Sequence, residues 1–199
     1  MLKRKVDWNE FQGLVSKICR DISMSNWRPD YVVGITRGGL LPAVMISQYF
    51  SVPCETLKVS LRDMGGDHAT ESNLWMAEDA FGSLEDERYI KNPVDVAGIL
   101  EAASDLLEQG DNYKNILIVD DINDSGATIN WILADWENSC FPDHVKWKSD
   151  IWNVNVRFAT VFDNLASDAR IAMDYVGEEI NKAEKPVWIE FPFEEWWTK

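Results

Sequence analysis

Several things are scarce in this 199-residue sequence, and each shortage excludes something. Cysteine occurs three times, at Cys19, Cys54 and Cys140, scattered and odd in number. That pattern fits neither a disulfide framework nor a zinc site and predicts buried thiols. The two histidines, His68 and His144, lie far apart, so a His-rich metal centre is not expected and a Ser-His-Asp triad would have to draw on one of them. Positive charge is scarce as well: 19 Lys and Arg face 34 Asp and Glu, a net charge of −15 at pH 7. Phosphate neutralisation needs clustered cations, so neither nucleic acid nor an anionic membrane surface is an expected partner. No run of 18 apolar residues is present, and no transmembrane helix is predicted. The start, MLKRKVDWNEF, is basic, but no apolar stretch follows it. No secretory leader is read there, and the expected location is cytoplasmic.

What is present is ample for a core: 46% of residues are hydrophobic and 12% aromatic, which excludes disorder as the main state. The length predicts a single domain over 1–199 that carries a large insertion. Asp7 followed by Glu10 reads as an N-cap and capping-box acid. Trp8, Phe11, Leu14, Val15, Ile18 and Ile22 then recur at helical spacing and predict a helix over 8–23. Tyr31–Ile35 and Ile116–Val119 are short apolar runs, the pattern of strands buried on both faces. Residues 56–61 and 156–162 read as further strands, and residues 40–50 and 129–136 as helices. Strands alternating with helices predict an α/β fold with a parallel sheet. Residues 62–113 differ: they hold 13 acids and 3 bases, most of the chain's imbalance, and no clear strand. Within them Asn92-Pro93 starts a helix well and Gly110 stops it.

The chemistry concentrates in ILIVDDINDSGAT, Ile116 to Thr128. A buried strand delivers Asp120 and Asp121 to its carboxyl end, where open α/β sheets bind ligands. Asp124, Ser125, Gly126, Ala127 and Thr128 follow, small residues leading into a helix. Their amides and hydroxyls can wrap an anion where the helix dipole assists. Carboxylates for hydroxyls or a metal therefore adjoin a cradle for phosphate, and the natural ligand is a sugar phosphate. Two adjacent acids at a buried strand end repel each other, so solvated acids on an ordinary turn is the poorer reading. Upstream, VVGITRGGLLPA ends another buried strand in a loop. Gly38 and Gly39 there let backbone approach an anion closely, and Arg37 adds a cation.

The ILIVDDINDSGAT stretch resembles the phosphoribosyl pyrophosphate (PRPP) motif of type I phosphoribosyltransferases. The Arg37-Gly38-Gly39 loop looks like that family's pyrophosphate loop. A third segment, VWIEFPFE, resembles the base-binding end of bacterial xanthine-guanine phosphoribosyltransferases. The resemblance covers roughly residues 6–61, 114–134 and 156–195. It implies a Rossmann-like core, a central parallel sheet flanked by helices, with 62–113 as an enlarged hood. It implies that Asp120 and Asp121 hold the ribose hydroxyls, partly through Mg²⁺. Ser125, Gly126, Ala127 and Thr128 would bind the 5′-phosphate, and Asp124 would face the base nitrogen as general acid/base. Trp188 would stack on a purine and Ile189 would offer backbone contacts. For Trp196 and Trp197 the plainer meaning, core packing or a dimer interface, is taken.

Three stretches depart from the family's pattern. Asn164 stands where purine-binding members usually carry a Lys that contacts the 6-oxo group. Ser60-Leu61-Arg62-Asp63 stands where a flexible loop usually carries Ser-Tyr, and 62–113 is longer than compact purine enzymes need. His68 reads as a solvated loop histidine. The expectation is a Mg-dependent transferase that moves a 5-phosphoribosyl group from PRPP to a nucleobase, a 6-oxopurine, with release of pyrophosphate. It would work as a homodimer or homotetramer. A non-catalytic PRPP-binding regulator and a Mg-dependent phosphohydrolase are the rival classes. The regulator would keep the fold, and the hydrolase would leave the Arg37 loop without a purpose.

Overall fold

The apolar runs read from the sequence come together as a parallel sheet. The computed structural model describes residues 2–59, 74–82, 113–139, 143, 146–194 and 196–197. In chain order the elements are β1 (Leu2–Lys5), α1 (Trp8–Met24), β2 (Tyr31–Thr36), α2 (Leu40–Phe50), β3 (Cys54–Lys58), α3 (Leu74–Phe81), β4 (Ile116–Asn123), α4 (Ala127–Ser139), α5 (Lys146–Ser149), β5 (Val156–Asn164), β6 (Tyr175–Ile180) and β7 (Val187–Glu190). Five strands form one all-parallel sheet in the order β3-β2-β4-β5-β6, and β1 pairs with β7 in a separate parallel ribbon. The expected α/β architecture, a parallel sheet flanked by helices, is the one found.

Both faces of the sheet are covered, which is why its central strands are apolar throughout rather than alternating. Side chains at successive strand positions still go to opposite sides. Val32, Leu117, Val119, Ala159 and Val161 join α1 and α2 in one core. Val33, Ile35, Ile116, Ile118, Val156 and Phe158 join α3, α4 and α5 in the other. Ile116, Leu117, Ile118 and Val119 are all fully buried, and burying each such side chain stabilises by about 1.5–3 kcal/mol. β4, the middle strand, thus anchors a rigid platform whose carboxyl end carries Asp120 and Asp121.

Local chemistry shifts some boundaries. The Asp7 carboxylate caps α1 by accepting from the Glu10 amide at 2.8 Å. Glu10 does not reach back to complete a capping box, because its carboxylate accepts from Arg4 at 2.5 Å. Arg4 also donates to both oxygens of Glu178 on β6 and lies over the Phe162 ring, so one guanidinium ties the β1 ribbon to α1 and the sheet. The strand expected at 56–61 begins earlier, at Cys54, where the chain pairs with Val32 of β2. β4 and β5 both run past their apolar runs, because their pairing continues through Asp120–Thr160 to Asn123–Asp163.

The acidic segment holds a helix that its charge concealed. In α3, Met76, Ala77, Ala80 and Phe81 are buried against the α4 face of the sheet, and Trp75 stacks on Tyr31. Asn155 donates to the Ala80 carbonyl at 2.7 Å and holds its end. Four apolar residues at helical spacing outweigh Glu78, which is exposed, and Asp79, which pairs with the Lys114 ammonium at 2.8 Å. The readings placed on Ser60, Leu61, Arg62, Asp63, His68, Cys140, His144, the 92–110 helix and most of the hood lie outside the described residues. No helix of the described residues is long and apolar enough to cross a membrane.

Candidate functional site

At the carboxyl end of β4 the chain passes from apolar core to carboxylates. Asp120 and Asp121 are half-buried there. Asp120 accepts from the Asp121 amide and Asp121 from the Ile122 amide, each at 2.9 Å. Burial pushes both carboxyls up, Asp121 to about 6, and the charge of Asp121 adds to the rise of Asp120. The nearby Glu194 carboxylate raises Asp121 further. Two crowded acids with no cation among their perturbing neighbours form a site that hydroxyl donors or a divalent cation would relieve. Hard carboxylate oxygens suit Mg²⁺. Among the described residues no three His, Cys, Asp or Glu side chains are gathered to hold a metal.

The Arg37-Gly38-Gly39 loop closes over these acids. A Cβ on Gly38 would stand 2.1 Å from the Asp121 Oδ2, and one on Gly39 would stand 2.2 Å from the Val119 carbonyl oxygen and 2.9 Å from the Asp120 Cα. At Gly39 backbone leaves room only for a residue without a side chain, and at Gly38 a side chain would displace the Asp121 carboxylate. The peptide bond between Thr36 and Arg37 is cis. Arg37 is exposed, and α2 starts immediately after the loop at Leu40. The two motifs that lie far apart in the sequence are therefore in direct contact.

After β4 the chain turns through Asp124, Ser125 and Gly126 into α4, which begins at Ala127. Gly126 has φ +82, and a Cβ there would lie 2.3 Å from the Ala169 amide nitrogen. The stretch that meets it braces the turn. Asp168 donates its amide to the Ser125 carbonyl at 3.1 Å. Asn130 donates to the Asp168 carbonyl at 2.8 Å and accepts from the Arg170 amide at 2.7 Å. Ser125, Gly126, Ala127 and Thr128 thus stand at the head of a 13-residue helix, where the dipole favours an anion, and the Ala127 amide donates to the Ser125 hydroxyl at 3.4 Å.

Asp124 is half exposed, and its Oδ1 meets the Lys182 ammonium at 2.9 Å, while the Lys182 side chain is only 16% exposed. Asn164 is buried beside them. Its amide nitrogen donates to the Asp124 carbonyl at 2.8 Å, and its amide oxygen accepts from the amides of Lys182 at 3.0 Å and Ala166 at 3.2 Å. Asn164, expected to bind the base from the position of the family's lysine, has both ends of its amide turned to the backbone. Sequence reasoning passed over Lys182, since nothing in NKAEKPVWIE distinguishes it from Lys185. It passed over Glu194 and the 168–170 brace for the same reason.

Trp188 lies on β7 with 44% of its surface exposed, while Ile189 is buried and its backbone is in register with Arg4 of β1. Both stand on the ribbon rather than on the main sheet, and the described contacts do not join Trp188 to Asp124. Phe191 and Phe193 stack and pack on Phe11, which ties the segment after β7 to α1 and carries Glu194 toward Asp121. Trp196 and Trp197 are exposed and meet edge to face.

A family model described as "phosphoribosyl transferase domain" matches residues 6–195. A curated relative, xanthine phosphoribosyltransferase 1 of Saccharomyces cerevisiae, is 23% identical over 139 residues, 66% of this chain. The chain spans 59% of that relative's length. Among solved structures, a purine phosphoribosyltransferase from Pyrococcus horikoshii superposes with TM-score 0.59 at 19% identity, over 98% of this chain and 95% of that one. A xanthine-guanine-hypoxanthine phosphoribosyltransferase from Helicobacter pylori superposes with TM-score 0.56 at 15% identity, over 97% and 94%. The sheet order, the loop pressed on the paired acids and the match over nearly the whole length agree: this chain belongs to the phosphoribosyl transferase domain family.

Proposed function

We propose that this protein is an enzyme that transfers a 5-phosphoribosyl group from PRPP to a ring nitrogen of a nucleobase, a 6-oxopurine, and releases pyrophosphate. The observation that carries the reading is the contact of Gly38 with Asp121. It brings the Arg37-Gly38-Gly39 loop against the paired carboxylates at the carboxyl end of β4, three residues before the turn into α4, and this supports the reading. PRPP has the matching parts: a pyrophosphate, a ribose diol and a 5′-phosphate.

The work of the chain is positioning and electrostatics. Arg37 with the amides of Gly38 and Gly39 holds the leaving pyrophosphate. Asp120 and Asp121 accept from the ribose hydroxyls, and Ser125, Gly126, Ala127 and Thr128 hold the 5′-phosphate. Asp124 takes the proton from the attacking base, or returns it in the reverse reaction. Trp188 and Ile189 line the base side. Asp120 and Asp121 would hold Mg²⁺, which would supply charge neutralisation. A cytoplasmic location is part of the same proposal, as is a homodimer or homotetramer, for which the exposed Trp196 and Trp197 offer apolar surface.

The test is incubation with PRPP, Mg²⁺ and a panel of bases. Base-dependent pyrophosphate release is the expected result. PRPP binding without turnover would mark a sensor of the same fold, and phosphate release without any base would mark a hydrolase.

A further inference from the structure

We propose that the cavity between the second half of α4, α5 and the β5–β6 connection is an effector site for a small aromatic acid, and that a ligand there tightens the hold of the phosphate loop on PRPP. The second clause rests on the transferase reading given above, and the first does not.

The cavity has a volume of about 310 Å³, within the range of small-molecule pockets. Among the described residues, Leu133 and Glu137 of α4, Trp147 of α5, Trp152, Arg170 and Ile171 line it. It is separate from the paired acids at the carboxyl end of the sheet. Glu137 lies in the last turn of α4, about 15 Å along the helix from its head. Trp152 bridges to Val156, at the amino end of β5.

The wall defines the chemistry of the occupant. The Trp147 and Trp152 rings stack, 5.4 Å apart and 22° from parallel, and offer aromatic surface. The Trp152 indole N–H is buried with no hydrogen-bond partner among the described residues, a donor that costs stability until an acceptor reaches it. Arg170 meets both Glu137 oxygens, at 3.0 and 2.9 Å, through one nitrogen, Nη2. Its Nε and Nη1 donors are left for another acceptor, while the Glu137 carboxylate is already bound. A planar ring carrying one acid group answers this wall: the ring lies against indole, and its oxygens accept from the guanidinium and the indole N–H.

The link to the phosphate loop is the connection from β5 to β6, which runs back alongside α4 and is tied along its length. Asp168 holds the Ser125 carbonyl, and Asn130 of α4 holds the Asp168 carbonyl and the Arg170 amide. Farther on, the Asn153 amide donates to the Ala172 carbonyl at 3.0 Å and to the Asp174 carboxylate at 2.9 Å. Arg170 and Ile171, on the cavity wall, follow directly after Ala169, against which Gly126 is packed. A ligand bonded to Arg170 and packed on Ile171 favours the braced arrangement that PRPP also needs, and two ligands that favour one state favour each other.

The test is calorimetric titration of the full-length protein with 2-naphthoate and with the uncharged 2-naphthamide, with and without PRPP. The acid is expected to bind, and the amide about tenfold more weakly. Arg170→Gln is expected to weaken the acid by about tenfold or more, and Trp152→Phe, which keeps a ring and removes the N–H, by about threefold or more. Trp188→Ala should bind the acid as wild type does. Saturating 2-naphthoate is expected to lower the KM for PRPP by about fivefold or more, and PRPP to tighten 2-naphthoate by the same factor. No binding of the acid, equal binding of acid and amide, or binding lost in Trp188→Ala but kept in Arg170→Gln and Trp152→Phe overturns the site. Binding that leaves the KM for PRPP unchanged overturns the effector role. Should one cavity variant fail to fold, the other decides. Wild-type protein that binds 2-naphthoate but releases no pyrophosphate with any base overturns the transferase reading and leaves the site standing.

Discussion

Gly38 sits so close to Asp121 that a side chain on the glycine would lie 2.1 Å from the carboxylate oxygen. The neighbouring Gly39 is blocked by backbone instead, the Val119 carbonyl and the Asp120 Cα. The two obstacles differ in kind. A carboxylate can rotate aside, whereas a central strand cannot. Gly38→Ala should therefore keep the fold and displace Asp121, with kcat/KM for PRPP falling by about 10². Gly39→Ala should cost about 1–3 kcal/mol of stability through overpacking. Thermal melts and initial rates on both variants separate the effects. Equal melting points together with equal activities would contradict the geometry.

Asp124→Asn keeps the backbone carbonyl that Asn164 holds and removes the proposed proton acceptor. Turnover should fall by ~10²–10⁴ while PRPP binding, followed by calorimetry, stays nearly intact. Turnover equal to wild type would remove Asp124 from the mechanism.

Asp121, raised to about 6, takes up its proton more readily in the folded chain than in the unfolded one. Its contribution to stability is full below the ordinary Asp value of about 4 and is lost as pH rises through the folded value. Glu178 works in the opposite sense, since Arg4 holds its carboxyl below the usual range. Its contribution is lost only as pH falls through that depressed value, outside the same window. The ligand-free protein should melt higher near about pH 5 than near about pH 7.5, and Asp121→Asn should flatten that difference. A wild-type slope that survives in the variant would trace the effect to the other carboxyls that burial raises, Asp120 first, or to the −15 net charge rather than to Asp121.

Gly126 has φ +82 and leaves no room for a Cβ beside Ala169. Gly126→Ala meets both a conformational penalty and a clash, so a loss of about 1–3 kcal/mol or more is expected, with the KM for PRPP rising as the loop shifts. Denaturant unfolding measures the first effect and initial rates the second.

Trp188 is exposed on the short β7 ribbon, so Trp188→Ala should leave the melting point almost unchanged. If the ring stacks on the base, the KM for the base should rise about tenfold or more. Trp196→Ala serves as the comparison and should alter neither quantity.

Much of this was legible from local chemistry. Buried strands announce themselves as apolar runs, because a sheet covered on both faces has no polar side to alternate with. That placed β2, β4 and β5 and, with them, the acids and glycines at their carboxyl ends. The Asp7 cap was legible because an N-cap bond spans only three residues. The second half of the capping box was not, since Glu10 was drawn away by Arg4, a contact that exists only once β1 lies beside α1.

The sequence by itself determined the α/β class, the order of the motifs and the residue types that chemistry on a sugar phosphate needs, because those follow from periodicity and from short-range spacing. Only the tertiary structure decided the neighbours. It pressed Gly38 onto Asp121, turned Asn164 into the tie between two turns, and brought Lys182 to Asp124 from the turn after β6, a strand the sequence did not reveal. The physical reason is the parallel sheet. Its pairings join segments far apart in the chain, so the residue facing a given side chain is set by strand order and register, which no local pattern encodes.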